Sequence, residues 1–392
     1  MLHGRWTPSG VEGRNCTRPR GADHTAVNKT ASEAVSAMGT RVIAGIATFV
    51  LACGHAGAAA AAGATQFKLG TFEKQGHRFV GVVVRDSVVV DLAAANGGSP
   101  RDMKELIARY DQGLREKIGE LVAAEAQGGG SKAHVHALKD LKVLPPIMYP
   151  TTMLNTAVNY VEHGKEMAGV PAIGGAAGNE PGMALPGTRS APGIWERRDD
   201  DRRWNPYMFL KAPSAVVADG ESVRLPVGRA QIDWECELAV VIGKTAARVS
   251  SAAASSYIFG YTIENDVSDR GGRGDSRSGS DWLIGKSHDT FAPLGPFIVP
   301  REFVADPRNI GIRFTLNGET MQQGSTAAMI HDVFEQVQYA SNILTLHPGD
   351  VIATGTPPGV GSGRKPPIFL KAGDKMACTY DGVGTLRNDV SN

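Results

Sequence analysis

The residues best placed to do chemistry are Glu235 and Glu237, in the run QIDWECELAVVIG over residues 231–243. That run predicts a strand. Strand side chains alternate faces, so the two glutamates project from one side while Trp234, Cys236 and Leu238 take the other. Neighbouring carboxylates repel, and burying them uncompensated is costly. A divalent cation relieves both costs, whereas a solvated strand face with two ordinary glutamates is the plainer alternative. Downstream, a second strand over residues 256–263 runs into Glu264, Asn265 and Asp266, which sets Asp266 at a strand end, where functional side chains are commonly presented. Glu235, Glu237 and Asp266 form an all-oxygen donor set that suits Mg2+, Mn2+ or Ca2+ rather than Zn2+. A second candidate is His163 with Glu166, three residues on. In a helical turn the two share a face, and a carboxylate on one imidazole nitrogen leaves the other as a general base. Taken alone, His-x-x-Glu is more often a surface pair.

The elements that must position these groups follow from periodicity. Residues 67–72, 78–85 and 87–92 are short, Val-rich and broken by turn residues, and so read as strands, with a tight turn at Arg85-Asp86-Ser87. Leu106, Ile107, Tyr110, Leu114, Ile118, Leu121 and Val122 recur at helical spacing and predict one or two helices over 103–126. Pro145-Pro146 marks the end of a small N-terminal α+β domain over 66–146, followed by a larger domain over 147–392. There, many short strands and a helix over 330–344 suggest a mixed, strongly curved sheet. Residues 168–205 are rich in Gly and Pro and end in WERRDDDRRW. A stretch of that length suggests a lid-like insertion, with Trp195 and Trp204 as anchors.

Composition bounds the rest. The 392 residues are 42% hydrophobic and 21% charged with a net charge of +1, which argues against a dedicated binder of nucleic acid or acidic membranes. The four cysteines, Cys16, Cys53, Cys236 and Cys378, form no CxxC motif, and Cys236 reads as a small buried hydrophobe. Residues 1–65 differ in character. Met38-Gly-Thr-Arg41, an apolar run over 42–53 and GHAGAAAAAGA read as an export signal, removed or disordered in the mature protein, with translation starting at Met38. The run is too short for a stable membrane span. Val50-Leu-Ala-Cys53 resembles a lipoprotein box with Cys53 as a lipid anchor. The expected location is therefore periplasmic or exported, the alternative being an alanine-rich extension on a cytoplasmic protein. Phosphate-loop, dinucleotide, HExxH and GxSxG signatures are absent from the sequence, and no nucleotide cofactor is expected.

The segments NYVEHGKEM, FLKAPSAVV, DWECELAVVIGK, YTIENDVSDR, WLIGKSHDTFAPLGPF, NGE followed by Gln322, and LHPGDVIATGTPPGVG occur in one order. Together they resemble the fumarylacetoacetate hydrolase family over roughly residues 150–390. The resemblance implies a mixed-sheet β-roll, commonly a homodimer, and a role such as aromatic catabolism. It implies that Glu235, Glu237 and Asp266 hold a metal, Mg2+ or else Mn2+ or Ca2+. His163 and Glu166 match the family's water-activating dyad, and Lys286 matches a lysine beside the substrate oxygens. Arg270, Gln322 and Thr356 match substrate contacts. The glycine- and arginine-rich loop after Arg270 and the insertion over 168–205 depart from the family pattern and leave the substrate open.

The implied reaction is metal-assisted hydrolysis of a carbon–carbon bond in a 2,4-dioxo acid such as an acylpyruvate. The alternatives are an isomerase, decarboxylase or hydratase of 2-oxo or 2-hydroxy-dienoic acids at the same site, and a non-catalytic exported protein that captures 2-oxo acids.

Overall fold

A computed structural model describes residues 66–96, 100–126, 133–168, 191–196, 198, 200–271 and 281–392. The leader over 1–65 with Cys53, most of the insertion (169–190) and the arginine-rich loop (272–280) lie outside the described residues.

The fold is α+β and strand-rich. Its larger sheet has twelve strands. From one edge they run Val135–Ala137, Val88–Asp91, His77–Val84, Lys68–Lys74, Ala292–Pro300, Ile258–Asn265, Cys236–Ile242, Val351–Ala353, Met153–Ala157 and Tyr207–Leu210, with Lys142–Leu144 and Val216–Val217 off this path. Neighbours along that path are antiparallel except Val351–Ala353 beside Met153–Ala157. A five-stranded sheet orders Glu319–Ser325, Gly311–Leu316, Lys375–Tyr380, Gly384–Ser391 and Val223–Arg224. Its first hairpin turns at Asn317-Gly318, where both residues have positive φ (53° and 86°), as a two-residue primed turn requires.

Every residue of Cys236–Ile242 is buried, because both faces of this central strand are covered. Leu238 and Val240 pack with Phe314, Met376 and Tyr380 of the five-stranded sheet. Ala239 and Val241 pack on the other side with Phe67, Leu106, Ile118 and Ile147. The run AVVI is apolar throughout for that reason and does not alternate. The one or two helices expected over 103–126 are two, Met103–Arg109 and Gln112–Ala126, the first capped by Asp102. Among the described residues no helix is long and apolar enough to cross a membrane.

Helix Val333–Ile343 starts with a capping box between Asp332 and Glu335. Glu335 also takes both ends of the Arg203 guanidinium, at 2.8 and 2.9 Å, tying the end of the insertion to this helix. Burial pushes the Glu335 carboxyl up, but His331 and Arg203 outweigh it and hold it at about 2. Of the two, the Arg203 fork is the firmer hold, since His331 Nδ1 stands 3.6 Å away, beyond hydrogen-bond reach. A carboxyl held down in the folded state stabilises it above the unfolded value, and that contribution is lost as pH falls from about 4.5 through about 2. Discounted for solvent screening of this partly exposed carboxyl, Glu335→Gln is therefore expected to lower stability at pH 7 by about 1–2 kcal/mol. In thermal unfolding against pH, the gap to wild type should close below pH of about 4. A gap of the same size at pH 7 and at pH 3 would refute the assignment.

Candidate active site

Strand pairing explains why two separated segments meet. Cys236–Ile242 pairs antiparallel with Ile258–Asn265, placing Cys236 opposite Asn265 and Glu237 opposite Glu264. One step past the pairing, the Asp266 amide donates to the Glu235 carbonyl at 2.8 Å, so Asp266 turns in beside Glu235. Carboxylate oxygens of Glu235, Glu237 and Asp266 all lie within 4.8 Å of one another, and all three residues are buried. The predicted strand over 231–243 is broken: Ile232–Asp233 pairs separately with Ser268–Asp269, and Glu235 sits in the gap.

The cluster is surrounded by cations. Lys286, at the end of helix Trp282–Lys286, donates to Glu235 Oε2 and Asp266 Oδ2, each at 2.6 Å. Lys211 donates to Asp266 Oδ1 and, at 3.0 Å, to the Val267 carbonyl. Arg270 reaches Glu235 Oε1 at 2.6 Å and Asp233 Oδ2 at 3.0 Å. The two glutamates therefore diverge. Burial pushes the Glu235 carboxyl up, but Lys286 and Arg270 overcome this and hold it well below the usual range. Glu237 is pushed well above it by burial and by the neighbouring Asp266, Glu264 and Glu235 carboxylates. Glu264, one row behind the cluster, is likewise pushed to about 8 by burial and then by Asp266.

Helix Val161–Met167 presents the histidine pair. His163 Nδ1 is 2.9 Å from Glu166 Oε1, and Nε2 lies 3.8 Å from Glu235 Oε1. Glu166 in turn accepts from the backbone amides of Gly359 and Val360, at 2.9 and 3.3 Å. The same loop serves Glu237, whose Oε2 accepts from the Gly355 amide at 2.8 Å. Gly355 has φ +91° and packs against helix-entry residue Asn159, where an added Cβ would meet the Asn159 Cβ at 2.6 Å. Only glycine fits there without displacing the loop.

A small, partly open cleft is lined by His163, Glu235, Glu237, Arg270, Lys286, Thr356, Trp282 and the 156–158 segment. Val158 in this wall has φ 52°, rare for a β-branched residue. Trp282 stacks on Phe209 at 4.7 Å, and Lys286 Nζ lies 5.0 Å from the centre of the same Phe209 ring.

Gln322 and Thr356, expected to touch substrate, are engaged with the protein. Gln322 Nε2 donates to Thr356 Oγ1 and the Pro357 carbonyl, each at 2.7 Å, and Oε1 accepts from the Cys236 amide at 3.2 Å. Thr356 donates to the Cys236 carbonyl at 3.0 Å. Sequence reasoning missed Lys211, Asp233 and Glu264. Asp233 holds Arg270 and accepts from the Gly361 and Ser362 amides at 2.7 and 3.0 Å. The available signal was a charge set between large apolar residues, Phe209-Leu210-Lys211 and Ile232-Asp233-Trp234, which flags a buried charge with a partner. Cys236 is also corrected: it forms a disulfide with Cys378, which no local motif announces because the two stand 142 residues apart.

Residues 152–391, more than half of the chain, match the family model for the fumarylacetoacetate (FAA) hydrolase C-terminal domain. The chain is 33% identical to the oxaloacetate tautomerase fahd2, mitochondrial, of Xenopus laevis, over 77% of this chain and 82% of that protein. Maleylpyruvate hydrolase from Sphingobium sp. SYK-6, solved with manganese(II) and pyruvate, is 27% identical with a TM-score of 0.60, covering 83% of this chain and 98% of that one. The 5-carboxymethyl-2-hydroxymuconate delta-isomerase from Mycobacterium smegmatis is 27% identical with a TM-score of 0.57, over 83% and 99%. The expectation of a periplasmic or exported protein is overturned, because the frog, rat and human relatives are mitochondrial by name and point to an intracellular location. A basic, apolar, small-residue leader is shared by several targeting classes, so its composition did not separate them. With this match and this identity over most of a relative's length, the chain belongs to the fumarylacetoacetate hydrolase family.

Proposed function

We propose that this chain is a divalent-metal-dependent enzyme that moves a proton within a small 2-oxo acid, in the manner of a tautomerase or isomerase. The observation that carries this reading is the His163–Glu166 dyad, whose outward nitrogen stands 3.8 Å from Glu235 at the edge of the three-carboxylate cluster. The donor set fits a hard cation. It consists of three buried carboxylates within 4.8 Å, one of them pushed up in part by its like-charged neighbours, a conflict that a cation relieves. Glu235, Glu237 and Asp266 would hold the ion, with Mg2+ or Mn2+ the chemical match. When bound, it supplies Lewis-acid polarisation of the 2-oxo group.

The chain's own residues do the rest. Glu166, fixed by two backbone amides, orients the His163 ring and leaves Nε2 to take a proton from substrate. Lys286 and Arg270 line the cleft as cations and favour an acid that carries a carboxylate. The 33% identity to an oxaloacetate tautomerase supports proton transfer as the reaction. Hydrolysis of a 2,4-dioxo acid is the second reading, favoured by the maleylpyruvate hydrolase neighbour. In that case the proton taken by His163 comes from water and not from carbon. A homodimer belongs to the same proposal and is read by sedimentation velocity.

The test is a substrate panel with Mg2+ or Mn2+: enol-oxaloacetate, an acylpyruvate and a dienoic diacid. Decay of the enol absorbance accelerated by at least about 10²-fold over buffer is expected. Pyruvate release from the acylpyruvate, with no effect on the enol, would move the assignment to hydrolysis. Saturable binding with no product from any member would overturn both readings.

A further inference from the structure

The metal-ligand strand is gripped at one residue, Cys236, which sits between Glu235 and Glu237. Its amide donates to Gln322 Oε1 at 3.2 Å, and its carbonyl accepts from Thr356 Oγ1 at 3.0 Å and from Tyr380 Oη at 3.2 Å. Its sulfur is bonded to Cys378. Gln322, Cys378 and Tyr380 all belong to the five-stranded sheet, so that sheet holds the amide, carbonyl and side chain of the one residue separating two ligands. Asn265, opposite Cys236 in register, extends the grip: its Oδ1 accepts from the Glu235 amide at 3.0 Å and its Nδ2 lies 3.4 Å from Met376 Sδ. Both cysteines are buried, which shields the bond from passing thiols. In a reducing compartment a disulfide is uncommon and needs such shielding to persist.

We propose that the Cys236–Cys378 disulfide is a covalent brace for the metal site, fixing the positions of Glu235 and Glu237, so that breaking it weakens divalent-metal binding while the fold persists. The inference rests on the reading of Glu235, Glu237 and Asp266 as metal ligands. Cys236 and Cys378 are thus positioning residues, acting through the glutamates. Cleavage is a two-electron reduction. A dithiol reductant such as dithiothreitol breaks the S–S bond, each protein sulfur takes up a proton, and the reductant closes to its own disulfide. The two sheets keep their strand pairing and shared apolar core, which is why the fold should survive.

The experiment compares the full chain purified without reductant, the same protein after prolonged dithiothreitol, and Cys378→Ser. Mass spectrometry of digests reports the linkage, and circular dichroism reports the fold. Mn2+ titration followed by electron paramagnetic resonance reports affinity, which a purely stabilising bond would not change in a folded protein. The brace predicts a linked Cys236–Cys378 peptide and an Mn2+ Kd at least tenfold weaker in both the reduced protein and Cys378→Ser. Turnover should recover at saturating Mn2+. A Kd within twofold in all folded samples overturns the brace and leaves the metal reading standing. Free thiols at both positions in the untreated protein also overturn it. If Cys378→Ser fails to fold, the reduced wild type carries the test. Unfolding of the reduced protein itself makes the bond a plain stabiliser and overturns the positioning role. Oxidised wild type that binds no Mn2+ sinks the metal reading, and the brace with it.

Discussion

Asp266→Asn should both abolish tight metal binding and destabilise the metal-free protein, whereas Glu237→Gln should do only the first. The two residues face the same cluster but carry opposite electrostatic environments. Asp266 is the common anchor of two buried lysines, Lys211 and Lys286. Asparagine keeps one neutral oxygen acceptor but removes the charge, which leaves Lys211, fully buried, without its hydrogen-bonded carboxylate and with only neutral oxygens, that amide and the Val267 carbonyl, to accept from it. Stranding a buried cation costs about 3–5 kcal/mol. Glu237 meets chiefly like charge, and burial with Asp266, Glu264 and Glu235 pushes its carboxyl up. A glutamine there copies the neutral carboxyl and can still accept from the Gly355 amide, so the metal-free protein should lose little or gain slightly. Both variants lose a ligand. Since outer-shell changes alone cost about 10–100-fold in metal affinity, each should lose at least about 100-fold. Mn2+ titration and thermal unfolding without metal measure the two quantities separately. Equal destabilisation by both variants would show that the charge asymmetry in this cluster is wrong.

Much of this arrangement is legible in the sequence. Alternation along a strand put Glu235 and Glu237 on one side, and the end of the next strand offered Asp266. That the segments would pair in the register bringing Asp266 to Glu235 is a tertiary fact, which periodicity does not contain. The helical turn on which the pairing of His163 with Glu166 depended is present, over Val161–Met167. What stayed hidden were interactions made across long sequence separations. Lys211 reaches Asp266 across 55 residues, and Gln322 reaches the Cys236 amide across 86. The side chains named as substrate contacts came from motif position, and Gln322 shows the limit of that route. Its side chain makes one hydrogen bond to the Cys236 amide and two more to the Thr356 hydroxyl and the Pro357 carbonyl, all of them within the protein. The leader misled for a different reason, since its composition is common to several targeting classes.

His163→Ala should lower kcat by about 10²–10⁴-fold, the usual worth of a positioned general base, while Mn2+ affinity stays within about twofold of wild type. The separation follows from distance and bonding. His163 Nε2 is 3.8 Å from the nearest Glu235 oxygen, outside hydrogen-bond reach, so Glu235 does not depend on the ring for its position. Lys286, Arg270 and the Asn265 contact to its backbone hold it instead. Glu166→Gln should cost less, about tenfold to 100-fold, because the Gly359 and Val360 amides still place the side chain but the anion that orients the imidazole is gone. The ordering of the two losses matters more than either size. A base acting alone would make Glu166→Gln silent, and a purely structural pair would move Mn2+ affinity or thermal stability together with rate. Turnover of whichever 2-oxo acid proves to be substrate, measured at saturating Mn2+, decides. Near wild-type turnover by His163→Ala would remove the dyad from the chemistry and leave Lys286, which lines the cleft and touches two of the three carboxylates, as the proton carrier to test next.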